Sequence, residues 1–232
     1  MKLSEQTQNI LKNYSTINQS IYLKKGSRLS TISVMRNILS ATDVSEEFPV
    51  DFCIYDLGKF LNLLKIYPEL DFHDKFVMMS NGAKTYKFMA AEPSIIVYVE
   101  NTFELEGSDN NPEGSKASPD WDINVKLPNS TLHTINQVAS ISGLPDFALS
   151  TKDDGIVYFS ALDKKDDTSN VAEEPVGESN ASFNMYFRSE NLKLIEGDYD
   201  VGISKSKIST FRHQKLPIQY WITLEQDSTY GG

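Results

Sequence analysis

Few residues in this chain have the types needed for acid–base or metal chemistry, and they are scattered. The three histidines, His73, His133 and His213, stand far apart. Asp71-Phe-His73-Asp74 has the composition of a metal site. On a strand, however, Asp71 and His73 share one face while Asp74 points away, the pattern of a solvated strand end. Asp198-x-Asp200 follows a helix stop and reads as a turn. The single cysteine, Cys53, can form no internal disulfide, and its apolar neighbours Phe52 to Tyr55 mark it as a buried small hydrophobe. That usage points to a reducing compartment. No Gly-x-x-x-x-Gly-Lys loop and no Gly-x-Gly-x-x-Gly turn is present to cradle phosphate. Asn-x-Ser/Thr triplets begin at Asn13, Asn18, Asn129 and Asn180, but the first 20 residues are polar and resemble no secretory signal, so they read as chance matches. No nucleophile–base pair emerges. The chain is expected to be no enzyme, with no catalytic residue, no metal and no cofactor.

The elements around these residues are easier to read. Ser4 caps a helix over 4–17, in which Thr7, Ile10, Leu11, Tyr14 and Ile17 recur at helical spacing. Strand-like runs follow at 20–24, 29–35, 38–42 and 48–55. Asp56 caps a helix over about 57–66 that Pro68 closes. Further strand-like runs lie at 70–73, 75–80, 85–90 and 95–99, with Asn81-Gly82 as a hairpin turn. Beyond residue 120 the order is a strand at 121–126, a helix at 129–142 and a hairpin, 147–152 with 156–162, around Asp154-Gly155. An acidic loop at 163–180 precedes a strand at 182–187 and a short helix at 189–195. Strands at 199–204, 208–213 and 218–225 close the chain.

This order is one unit built twice. Phe52-x-Ile54-Tyr55 and Leu61-x-Leu63-Leu64 return as Phe183-x-Met185-Tyr186 and Leu192-x-Leu194-Ile195, each 131 positions later. Upstream, Leu3, Thr7, Leu11, Tyr14 and Ile17 are matched by Leu127, Thr131, Ile135, Val138 and Ile141, each 124 positions later. About seven extra residues therefore sit inside the second copy, in its acidic loop. So long a period points to two similar domains rather than a solenoid. Residues 107–119 have linker composition, which gives an N-terminal domain at 1–106 and a C-terminal domain at 120–232. Two helices against mostly antiparallel sheet in each half is an α+β architecture.

The net charge of −10 argues against nucleic-acid binding by bulk attraction, and no apolar run approaches membrane-spanning length. The charge is unevenly spread. Residues 100–120 carry six acids against Lys116, and residues 163–178 carry six against Lys164 and Lys165. The four expected helices, taken as 1–17, 56–65, 127–142 and 188–195, hold six cations (Lys2, Lys12, Lys59, Lys65, Arg188, Lys193) and three acids (Glu5, Asp56, Glu190). They sum to +3, so the rest of the chain sums to −13.

Residues at both ends resemble a known family. Met1-Lys-Leu-Ser4, Thr7, Leu11-Lys-Asn13, Thr16-Ile-Asn18, Leu23-Lys24, Gly26 and Ile54-Tyr55-Asp56-Leu57 with Phe60-Leu61 resemble the DNA polymerase sliding clamp of T-even-like bacteriophages. So does the terminal Leu224-Glu225-x-Asp227-Ser228-Thr229. The resemblance covers the whole length and is weakest over 75–180. It implies a head-to-tail homotrimeric ring of DNA-clamp domains, with helices lining a hole for duplex DNA and sheets forming the wall. The basic helices and acidic remainder fit that expectation, because a sliding ring meets phosphates without reading bases. The resemblance makes Lys2, Lys12, Lys59, Lys65, His133, Arg188 and Lys193 the expected DNA-facing residues, with Asn9, Asn129, Asn136 and Gln137 as neutral companions. It also implies sheet edges joined across subunits, at 75–90 and 156–172. A partner groove is expected around Phe103, Leu105, Leu216, Pro217 and Tyr230. The partners implied are viral DNA polymerase, clamp loader and late transcription factors, with no membrane, in the cytoplasm of an infected bacterium. Two other readings of the duplicated β-rich chain stay open: a structural phage protein, and a peptide-binding module without DNA.

Overall fold

The structure is a computed structural model that describes residues 1–99 and 121–231. The linker expected at 107–119, and Phe103 and Leu105, lie outside the described residues. The chain divides into two compact units, Met1–Glu113 and Gly114–Gly232.

In the first unit, α1 (Glu5–Ile17) starts where the Ser4 hydroxyl accepts the Thr7 N–H at 3.2 Å. It buries Thr7, Ile10, Leu11, Tyr14 and Ile17, the stripe read from the sequence. β1 (Ile21–Leu23) pairs antiparallel with β4 (Phe52–Ile54), and β2 (Gly26–Ile32) with β3 (Ile38–Phe48). The sequence breaks β3 at its acids, yet the strand runs on to Phe48. Val44, Glu46 and Phe48 keep turning inward at period two, and Glu46 has hydrogen-bond partners inside. α2 (Leu57–Leu64) begins at Asp56, whose carboxylate accepts the Lys59 N–H at 2.8 Å. β5 (Glu69–His73), β6 (Phe76–Asn81) and β7 (Lys84–Met89) form an antiparallel sheet in that order. Gly82, with φ of 60°, makes the tight turn between the last two. The strand expected at 95–99 does not form. Pro93–Ile95 is a single 3-10 turn instead, with Pro93 in its first turn.

In the second unit, β8 (Ile123–Leu127) leads into α3 (Asn129–Ser142), which Gly143 ends in a left-handed conformation. β9 (Asp146–Thr151), β10 (Ile156–Leu162), β11 (Ala172–Glu178), β12 (Ser182–Arg188) and β16 (Thr229–Gly231) form one antiparallel set, ordered β11-β10-β9-β12-β16. β13 (Tyr199–Ser204), β14 (Ile208–His213) and β15 (Ile218–Thr223) continue from β8 in the order β8-β13-β14-β15.

Three sequence expectations change here. The acidic loop at 163–180 contains β11. Its three glutamates, Pro175 and Gly177 hide it from pattern reading, but such residues suit an edge strand, and the pairing with β10 is bulged at Val157/Tyr158. β16 is a short strand that the sequence did not signal. The helix expected at 189–195 shrinks to one 3-10 turn, Ser189–Asn191. Beyond it the backbone is held by other side chains: Ile195 N–H donates to the Tyr220 hydroxyl, and the Tyr199 hydroxyl donates to the Ile195 carbonyl at 2.6 Å. The fold is α+β as expected, with three α-helices on antiparallel strands among the described residues.

Candidate nucleic-acid interface

The helices present polar outward faces. On α1, Gln6, Asn9, Lys12 and Thr16 are exposed opposite the buried stripe. On α2, which packs beside α1, Lys59 and Asn62 are exposed, and Lys65 follows at the C-cap with its ammonium donating to the Asn62 amide oxygen at 3.0 Å. The spacing of 59, 62 and 65 keeps all three on one side of the helix. On α3, Ser130, His133, Thr134, Gln137 and Ser140 are exposed. This helix has no Asp, Glu, Lys or Arg, so His133 is its one titratable group.

The structure separates the expected DNA-facing set into two groups. Lys12, Lys59, Lys65 and His133 stand on exposed helical faces. Lys2 precedes α1 and pairs with Glu69 at 3.4 Å, both exposed. Arg188 is the last residue of β12, not the first of a helix, and its guanidinium faces Glu225 at 3.3 Å and Asp146 at 3.8 Å. Lys193 lies past the 3-10 turn, half-buried. The helical cations are therefore concentrated on the first unit, while the second unit's helix is polar and nearly neutral. Such a face can touch phosphates through water and side-chain amides without strong attraction.

Of the expected partner groove, Leu216 is half-buried and Pro217 exposed in the β14–β15 turn, and Tyr230 is half-buried on β16, in a different set of strands. The turn is tightly built. The His213 ring is buried, its Nδ1 accepts the N–H groups of both Lys215 and Leu216 at 3.0 Å, and its Nε2 donates to the Glu196 carbonyl at 3.1 Å. This histidine is a structural bracket for Leu216. His73, in contrast, sits exposed beside Asp71 at 3.2 Å and stacks on Phe76, the solvated strand end read from the sequence. Among the described residues no cluster of His, Cys, Asp or Glu could hold a metal ion, and no helix is long and apolar enough to cross a membrane.

One constellation escaped sequence reasoning. Lys164 donates to Asp227 at 2.8 Å and reaches Glu225 at 3.4 Å and the Tyr186 ring at 5.3 Å, its side chain only 7% exposed. Burial pulls its pKa down, but the two carboxylates outweigh burial and raise it overall. The Lys164 hydrogen bond in turn holds the Asp227 carboxyl below its usual range. The signal was visible in two pieces, the acidic loop and the terminal Glu225-x-Asp227, but nothing in the sequence joined them.

This arrangement, helices with polar outer faces backed by antiparallel strands in two similar units, defines the sliding-clamp class of fold. A solved clamp, PCNA of A. fulgidus bound to the C-terminal region of FEN-1, superposes with a TM-score of 0.63 at 13% identity, covering 96% of each chain, a likeness of fold alone. Residues 3–69 match the family described as DNA polymerase processivity factor. The sliding clamp of Vibrio phage KVP40 is 29% identical over 231 residues, 97% of this chain and 99% of the relative. That of Escherichia phage RB69 is 25% identical over 243 residues, 99% of each chain. By sequence as well as fold, the chain is an end-to-end relative of the phage sliding clamps, and its residues 3–69 carry the match to the processivity-factor family.

Proposed function

We propose that this protein is a replication clamp: two clamp domains, 1–106 and 120–232, joined by the acidic linker 107–119, with three chains closed head to tail around duplex DNA. The observation that carries this reading is the full-length relation to two phage sliding clamps. In the ring, Lys12, Lys59, Lys65 and His133 face the phosphates. Lys2 and Arg188 carry carboxylate neighbours and contribute less, and Lys193 stands at the margin. Weak lining charge makes retention depend on topology more than on direct phosphate contacts.

The ring joint falls on open sheet edges. β7 is an edge strand with Lys84 and Lys87 exposed, and β11 is an edge strand bearing Glu173, Glu174 and Glu178. β10, within the span expected from the resemblance, is flanked on both sides, so the joint falls on β11. Pairing a basic edge with an acidic one closes both and fixes the order of subunits.

The clamp tethers the viral DNA polymerase and keeps it on its template by effective concentration. A clamp loader opens the ring, and late transcription factors use the same surface, in the cytoplasm of the infected bacterium. Among the described residues, Leu216, Pro217 and Tyr230 are the ones we assign to capture of their short peptides, a reading supported by the FEN-1 segment bound to the PCNA of similar fold. The test is mass in solution together with retention on circular and linear DNA after loading. A trimer retained on circles and lost from linear ends is expected. A monomer throughout the micromolar range, or equal retention on both, rejects the ring.

A further inference from the structure

The C-terminal segment lies over the edge of β12 in a way that suggests it can leave. β16 makes three pairings with β12, Thr229 to Asn184, Tyr230 to Phe183 and Gly231 to Ser182, and its residues are exposed or half-buried. So short an edge strand adds little apolar burial. Its hold is polar: Tyr186 N–H donates to the Ser228 hydroxyl at 2.9 Å, Glu225 N–H donates to the Tyr186 carbonyl, and Lys164 binds Asp227 and Glu225.

Beneath this cover the charges are arranged for two states. Asp146 is 1% exposed, and its Oδ1 has no hydrogen-bond partner. Arg188 stands 3.8 Å from that oxygen and 3.3 Å from Glu225, so it is shared between the C-terminal segment and a buried carboxylate whose other oxygen already accepts the Lys164 N–H at 3.3 Å. If Glu225 leaves, Arg188 can close on Asp146 and satisfy it. Lys164 has no such alternative. Its ammonium would lose both carboxylate partners when the segment leaves and would stand over Tyr186 without an acid, a position that another carboxylate can fill.

We propose that β16 is a displaceable cover, and that an extended acidic segment of a partner protein, with carboxylates two residues apart, takes its place on β12. Backbone pairing would supply affinity, and Lys164 would select the acids in the spacing of Glu225 and Asp227. The inference rests on the surface of the second unit alone and stands whether or not the chain encircles DNA.

The test uses the full chain and a labelled peptide of its own residues 223–231 as the acidic probe, read by fluorescence anisotropy and by hydrogen exchange. Saturable binding is expected, with faster exchange in the protein's own 224–231 while 182–186 stays protected. A peptide with Gln and Asn at the positions of Glu225 and Asp227 should bind at least about tenfold more weakly, the scale of one charge-assisted hydrogen bond. In the protein, E225Q/D227N should bind the wild-type peptide more tightly, because its own cover is loosened, and Lys164→Met should bind it more weakly. No binding up to about 1 mM overturns the proposal. So does exchange in 224–231 that stays as slow as in β9 at peptide saturation. A doubled mass with C-terminal segments swapped between copies overturns the partner assignment.

Discussion

The Thr7 hydroxyl donates to the Glu46 carboxylate at 2.6 Å, which ties the first turn of α1 to the far end of β3. The Ser4 backbone N–H donates to the other oxygen of the same carboxylate. Ser45 adds a third donor at 3.1 Å. Burial pushes the Glu46 pKa up, but the hydrogen bonds from Ser4 and Thr7 outweigh burial and leave it below its usual value. Glu46→Gln should cost about 1–3 kcal/mol, since a charged acceptor is removed from inside the fold. The sign with pH follows from the lowered pKa: this contribution is present above the ordinary carboxylate range and is lost as pH falls through the folded value. Denaturant melts across acid pH should show wild type losing stability more steeply than the variant.

Neutralising Lys12, Lys59 and Lys65 together, each to Gln, should leave the melting temperature nearly unchanged, because all three are exposed. DNA retention should weaken uniformly across sequences. The slope of log affinity against log salt should flatten by roughly 0.9 for each phosphate that is no longer neutralised. A salt titration of binding to short linear duplex, where topology cannot trap the ring, measures it. Neutralising Arg188 alone should change this slope less, because Glu225 and Asp146 are its neighbours.

Reversing Lys84 and Lys87 to Glu should disperse the trimer into smaller species, read by native mass spectrometry. Reversing Glu174 and Glu178 to Lys in the same chain should restore it, because the two edges then exchange signs. Dispersal without restoration rejects a charge-matched joint.

Gly197→Ala should be severe. The added Cβ would lie 2.0 Å from His213 Nε2, at a φ of 156° that side chains rarely adopt. The ring cannot step aside, since Lys215, Leu216 and Glu196 hold it from both nitrogens. A loss of at least about 2 kcal/mol in chemical denaturation is expected. Weaker peptide capture at Leu216 should accompany it.

Acid should also loosen the C-terminal segment. Lys164 depresses the Asp227 pKa, so the ion pair is intact above the usual carboxylate range and fails as pH falls through the folded value. Hydrogen exchange of 224–231, corrected for intrinsic pH dependence, should rise on acidification while β9 holds.

The sequence by itself determined whatever depends on near neighbours. The caps at Ser4 and Asp56, the buried stripe of α1, the stop at Gly143 and the turns at Asn81-Gly82 and Asp154-Gly155 are set by a few adjacent residues. The duplication was legible for the same reason, since each copy repeats its local pattern. Tertiary structure decided the rest. Ile141 repeats Ile17 in sequence, yet it is 78% exposed where Ile17 is 6%. Leu192-x-Leu194-Ile195 repeats the apolar run of α2 but is not helical, because Tyr199 and Tyr220 take up the backbone groups at Ile195. β11 is a strand only because β10 pairs with it, and Arg188 points to Glu225 and Asp146 because β12 ends beside them. Partners 37 or 83 positions apart, such as Arg188 with Glu225 or Lys205 with Asp122, leave no trace in local spacing. A charge on a helix can be read from the sequence; which carboxylate already holds that charge is decided only when the chain folds.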